Sequence, residues 1–82
     1  MNATLIPATL IPGDGIGPEI TAVTVEVLEA LGAPFRWETQ IAGLAGVTAC
    51  GDPLPQACID SIRKNRLALK GPLETPSGGG DR

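Results

Sequence analysis

Apolar and polar residues open the chain in a direct repeat, Ala3-Thr4-Leu5-Ile6-Pro7 followed by Ala8-Thr9-Leu10-Ile11-Pro12. The unit is too short to be a solenoid repeat. Proline donates no ladder hydrogen bond and interrupts a central strand, so the pattern predicts a strand over Ala8–Ile11 only, with the first copy as its lead-in. Gly13, Gly15 and Gly17 then permit a tight turn. Ile20, Val23, Val27 and Leu31 recur at helical spacing. Pro18 suits a first helical position, Glu19 suits the positive end of the helix dipole, and Gly32 and Pro34 stop the pattern. An amphipathic helix from about Pro18 to Leu31 follows.

Phe35–Ile41 alternates apolar with polar, which predicts a strand with one face covered. Ala42–Gly51 is small, Gly-rich and without period, and reads as a loop. Asp52 is placed to cap a second helix whose first turn accommodates Pro53 and Pro55, with Leu54, Cys58 and Ile62 on one face and Arg63 and Lys64 at its negative end. Leu67-Ala68-Leu69 is a short apolar run of the kind found in buried parallel strands. The order strand-helix-strand-helix-strand predicts an α/β fold with parallel strands and right-handed crossovers. So few elements in 82 residues bury only a marginal core, which points to an incomplete domain over residues 1–82.

Nine acidic against six basic residues give a net charge of -3, and the basic ones are scattered apart from Arg63, Lys64 and Arg66. That balance argues against a nucleic-acid partner. No basic leader region opens the chain and no apolar run approaches the roughly 20 residues of a membrane span, so a reducing, cytoplasmic location is expected. With no histidine, Cys50 and Cys58 cannot build a zinc site of two cysteines and two histidines, and they are spaced too widely for a redox pair. Cys50 reads as a loop thiol and Cys58 as a small buried apolar residue.

The turn Gly13-Asp14-Gly15-Ile16-Gly17-Pro18 between strand and helix resembles a phosphate-binding arrangement, since backbone amides at a helix start attract anions. Pro18, however, stands where the dinucleotide fingerprint needs glycine, and no lysine follows as in a Walker loop. On spacing alone a structural turn is favoured, with Asp14 as a turn or cap residue rather than a metal ligand.

The longer string Ile11-Pro12-Gly13-Asp14-Gly15-Ile16-Gly17-Pro18-Glu19-Ile20 is similar to the opening motif of the isocitrate/isopropylmalate dehydrogenases. A second, Leu69-Lys70-Gly71-Pro72-Leu73-Glu74-Thr75-Pro76, resembles the segment that isocitrate dehydrogenases carry at the end of the third strand. Isopropylmalate dehydrogenases usually show a Gly-Ala-Val-Gly-Gly-like stretch there, which ranks isocitrate ahead of homoisocitrate and isopropylmalate. Ser77 and Asp81 depart from the family's commoner residues. The resemblance covers Ala8 to Arg82 and implies the N-terminal part of an isopropylmalate dehydrogenase-like fold.

By that resemblance Ile16 packs by the cofactor, Glu74 and Thr75 lie where its nicotinamide half is held, and Lys70 lies near the substrate cleft. Read from the residues alone, Lys70 ends a strand at the carboxyl edge of a parallel sheet, where ligands of such folds gather, or it is an ordinary charge leaving the sheet for solvent. Thr75 before Pro76 can equally be a turn residue. The implied reaction is NAD- or NADP-dependent oxidation and decarboxylation of a 2-hydroxy acid, isocitrate to 2-oxoglutarate, assisted by Mg²⁺ or Mn²⁺. The implied protein is a homodimer. The family's metal, arginine and proton-transfer residues are expected downstream of this chain, which contains no tyrosine. The chain by itself is therefore expected to be inactive, and a non-catalytic remnant that docks to a partner is the competing reading.

Overall fold

The computed structural model describes residues 4–74. Three parallel strands, β1 (Ile6–Ile11), β2 (Phe35–Thr39) and β3 (Ala68–Lys70), form a sheet in the order β2-β1-β3. Helix α1 (Gly17–Ala30) joins β1 to β2, and two helices, α2 (Leu44–Cys50) and α3 (Gln56–Asn65), join β2 to β3. The parallel α/β expectation holds, with one more helix than the pattern predicted.

β1 begins at Ile6 and runs through Pro7, where the sequence predicts only a lead-in. The reason is the side on which each backbone donor points. Ile6 N–H faces β2, donating to Pro34 O at 2.7 Å, while Thr9 N–H faces β3, donating to Leu67 O at 2.9 Å. Alternation along the strand puts the Pro7 nitrogen on the β3 side. β3 pairs only with Thr9, Leu10 and Ile11, so at Pro7 no ladder bond is lost.

Alternation also sorts the side chains between the two faces of the sheet. Thr9, Ile11 and Glu38 face α3: Ile11 packs with Cys58, Ala42 and the half-buried Ile62. Within this layer lies a polar cluster. The Ser61 hydroxyl donates to Glu38 Oε1 at 2.5 Å, and Thr9 and Ser61 hydroxyls share a bond of 2.7 Å. Because Ser61 has one proton and gives it to Glu38, Thr9 is the donor between the two hydroxyls. Asn65 Nδ2 then serves Thr9 Oγ1 at 3.0 Å and Glu38 Oε1 at 3.2 Å, and Lys64 Nζ closes the rim on Glu38 Oε2 at 3.0 Å.

The other face meets α1 through Thr21, Val25 and Leu28, and apolar clefts remain between helix and sheet. One of about 230 Å³ is lined by Leu28, Phe35, Trp37, Leu67, Ala68 and Leu69. The stripe Ile20, Val23, Val27 and Leu31, from which an amphipathic helix is predicted, points away from the sheet and is exposed, while Ala22, Val25 and Leu28 line the sheet side, so α1 is apolar on both sides rather than amphipathic.

Candidate functional site

The strand order reverses at β1: its own crossover leads to β2 on one side, and the next returns to β3 on the other. Ligands of open α/β sheets bind outside the carboxyl ends of the strands at such a switch point. Two segments occupy that place, the turn from Pro12 to Ile16 after β1 and the stretch from Gly71 to Glu74 after β3.

They meet backbone to backbone. Gly71 N–H donates to Ile11 O at 2.8 Å, and Asp14 N–H donates to Pro72 O at 2.7 Å. A Cβ on Gly71 would collide with Pro12 O, and one on Gly13, whose φ of 91° already favours glycine, would collide with Pro72 O. Thr21 adds a clasp from α1, its hydroxyl donating to Pro12 O at 3.0 Å. The glycines at this edge thus serve the approach of two chain segments.

The start of α1 makes a poor anion cradle. Gly17 donates its N–H to Asp14 O at 2.8 Å, Pro18 has none, and Glu19 puts a carboxylate in the first turn. The phosphate-loop resemblance stops at the glycines, as Pro18 indicates.

Of the residues singled out by sequence, Ile16 precedes the first residue of α1 and is 63% exposed at the edge. The Glu74 carboxylate lies over Gly15, so close that a Cβ at that glycine would sit 2.6 Å from Glu74 Oε2. An apolar side chain and a carboxylate are thereby brought to neighbouring positions from opposite ends of the described chain. Lys70 ends β3 at the same edge and bends back, Nζ donating to Gly71 O at 3.0 Å. Thr75, Ser77 and Asp81 lie outside the described residues.

Two sequence expectations are corrected on the way to this edge. Ala42–Gly51 is no loop, because α2 occupies most of it. No side chain at its own start caps α2; the Asp14 carboxylate does so from across the fold, accepting Leu44 N–H at 2.8 Å and Ala45 N–H at 3.3 Å. Asp52 in turn does not cap α3, which begins at Gln56 after Pro55. Its carboxylate accepts Leu54 N–H at 2.9 Å, an Asx turn that leads through the prolines to the helix. Leu54 correspondingly lies exposed before α3 and does not share the helix face of Cys58 and Ile62.

Among the described residues no three acidic, thiol or imidazole groups converge to hold a metal ion. No helix there is long and apolar enough to cross a membrane. Burial raises the Cys58 thiol above its ordinary pKa, which suits a packing role.

Comparison with known proteins gives this geometry a family. The isocitrate/isopropylmalate dehydrogenase family model matches residues 8–82. The chain is 54% identical over 76 residues to the isocitrate dehydrogenase (NADP) of Thermus thermophilus, a match covering 90% of this chain and 15% of that protein. It is 40% identical over 81 residues to the chloroplastic 3-isopropylmalate dehydrogenase of Solanum tuberosum, covering 99% of this chain and 23% of that protein. The crystal structure of isocitrate dehydrogenase from Methylococcus capsulatus superposes with a TM-score of 0.87 at 56% identity, over 95% of this chain and 23% of that one. The chain therefore spans less than a quarter of the length of these relatives, and over that span it belongs to the isocitrate/isopropylmalate dehydrogenase family.

Proposed function

We propose that residues 1–82 form the N-terminal part of the catalytic domain of an NAD- or NADP-dependent dehydrogenase that oxidises and decarboxylates isocitrate to 2-oxoglutarate. The observation that carries this reading is the meeting of the two strings at the switch point, which sets the Glu74 carboxylate over Gly15, the residue before the exposed Ile16. Ile16 offers apolar surface to one side of a nicotinamide nucleotide, and Glu74 and Thr75 offer acceptors to its nicotinamide half. Bound NAD or NADP supplies the hydride acceptor. Lys70, at the same edge, supplies a positive charge on the substrate side, and its bond to Gly71 O orients the ammonium.

The string Lys70 to Pro76 supports isocitrate over homoisocitrate and isopropylmalate. The described residues supply no cluster to fit Mg²⁺ or Mn²⁺, so no step is assigned through a metal. In this reading the arginines, the acid/base groups and any metal ligands belong to the rest of a cytoplasmic, homodimeric protein, and these 82 residues alone turn over nothing.

Reading the encoding DNA beyond the Arg82 codon and assaying the complete product tests the proposal. The expected result is further family sequence and NAD- or NADP-linked turnover of isocitrate, with none by the 82-residue chain. Unrelated sequence beyond Arg82 would favour the non-catalytic remnant. Turnover of isopropylmalate alone would overturn the substrate assignment.

A further inference from the structure

Asp14 is the point at which the most segments meet. It is 8% exposed, and all its polar groups are engaged. Its N–H donates to Pro72 O at 2.7 Å and its carbonyl accepts Gly17 N–H at 2.8 Å. Its Oδ2 accepts both Leu44 N–H at 2.8 Å and Glu74 N–H at 2.9 Å, while Oδ1 accepts Ala45 N–H at 3.3 Å. Gly43, with φ at 71°, makes the room: a Cβ there would collide with Oδ2.

A turn residue needs only the backbone bonds, and a cap for α2 needs only Leu44 and Ala45. The bond from Glu74 N–H exceeds both tasks. It fixes the peptide whose own carboxylate lies over Gly15, next to Ile16. One buried carboxylate thus ties the place of Glu74 to the start of α2 and to the turn that presents Ile16.

We propose that Asp14 is a positioning residue that holds the Glu74 carboxylate over Gly15, at the turn that presents Ile16, so that cofactor affinity depends on Asp14 although its own oxygens face protein amides. This rests on the reading of Ile16 and Glu74 as cofactor contacts. An asparagine whose amide oxygen takes the place of Oδ2 still accepts Leu44 and Glu74 N–H and sets its NH₂ against Ala45 N–H, so only removal of both acceptor oxygens releases Glu74. The amide donors of Glu74 first, then of Leu44, hold the carboxyl below its ordinary pKa, in keeping with an ionised acceptor.

The test uses the complete protein that carries this chain, with Asp14→Ala, Glu74→Gln and the double variant. Asp14→Ala should raise the KM for NAD or NADP roughly tenfold, the scale of a lost hydrogen bond to a charged group, with kcat at saturating cofactor nearly unchanged. The double variant should be no worse than Glu74→Gln, since Asp14 acts through that side chain. Hydrogen exchange reads the latch without cofactor: the Leu44, Ala45 and Glu74 amides should exchange faster in Asp14→Ala. Should that variant fail to fold, Gly43→Ala, which crowds Oδ2 and keeps the carboxylate, should raise the same KM.

Unchanged exchange at those amides overturns the latch. Additive losses in the double variant, with kcat falling alongside, overturn positioning and leave a purely structural role. A Glu74→Gln variant with normal cofactor KM overturns the cofactor reading of Glu74, and with it the role given to Asp14. That failure is distinguishable, because the exchange measurement still shows whether the latch exists.

Discussion

The two faces of the sheet are built differently. On the α3 face, Ile11, Ala42 and Cys58 close a small apolar core, and the polar groups beneath it, Thr9, Ser61 and Asn65, all find partners around Glu38. On the α1 face, clefts separate helix from sheet, and the helix carries a second apolar row, Ile20 to Leu31, with Leu31 at 76% exposure. A helix apolar on both sides is characteristic of one with neighbours on both sides. The contrast teaches that packing density, and not hydrophobicity, marks the half of this unit that holds itself together.

The largest effect should come from charging each face in turn. Cys58 is fully buried, so Cys58→Asp should cost about 3 kcal/mol or more, the scale of an uncompensated buried charge. Val27 is 51% exposed, and Val27→Asp should stay within about 0.5 kcal/mol. Urea melts of the 82-residue chain and its two variants measure both. Equal losses, or a parent chain that melts without a cooperative transition, would break the comparison.

The thiols give a second reading of the same face. Cys50, expected on a loop, is instead the last residue of α2 and exposed, whereas Cys58 lies in the core as expected, with its thiol pKa raised by burial. A thiol reagent at neutral pH should modify Cys50 at once and Cys58 only as the chain unfolds. Prompt labelling of both would mean that the α3 face opens readily.

Acid supplies the smallest effect. The Ser61 hydroxyl first, and Lys64 next, hold the Glu38 carboxyl down from 4.5 to about 2. A carboxylate whose folded pKa is depressed stabilises the fold above its unfolded pKa and loses that contribution as pH falls through the folded value. Stability should therefore decline between pH 4.5 and 2, and Glu38→Gln should flatten part of that decline. The effect is modest because the side chain is 36% exposed. An identical acid profile in Glu38→Gln would remove the cluster from the account.

What the sequence made legible follows the range of the interactions involved. α1 and β2 are written in local periodicity and β3 in a short apolar run, and the expected bounds come within a few residues of those observed. α2 was hidden because its cap lies far away at Asp14, which leaves a run of small residues with no local start signal. Pro7 misled because the side on which a missing donor points depends on where β3 begins. The stripe on α1 identified the helix but not the face that meets the sheet, since both sides are apolar. At the carboxyl edge, the family strings single out Ile16, Lys70 and Glu74, which the fold gathers at one place. Asp14 was legible only as a turn or cap residue, because its third donor, the Glu74 amide, arrives through tertiary contact.

In the proposed function, the segments after β1 and β3 form one edge that faces the cofactor. Hydrogen exchange of the complete protein, with and without NAD or NADP, tests it most directly. Protection should appear together in peptides spanning Gly13–Gly17 and Gly71–Glu74, and leave the α3 surface around Arg63 and Lys64 unchanged. Protection confined to α3, or to neither string, would contradict the account.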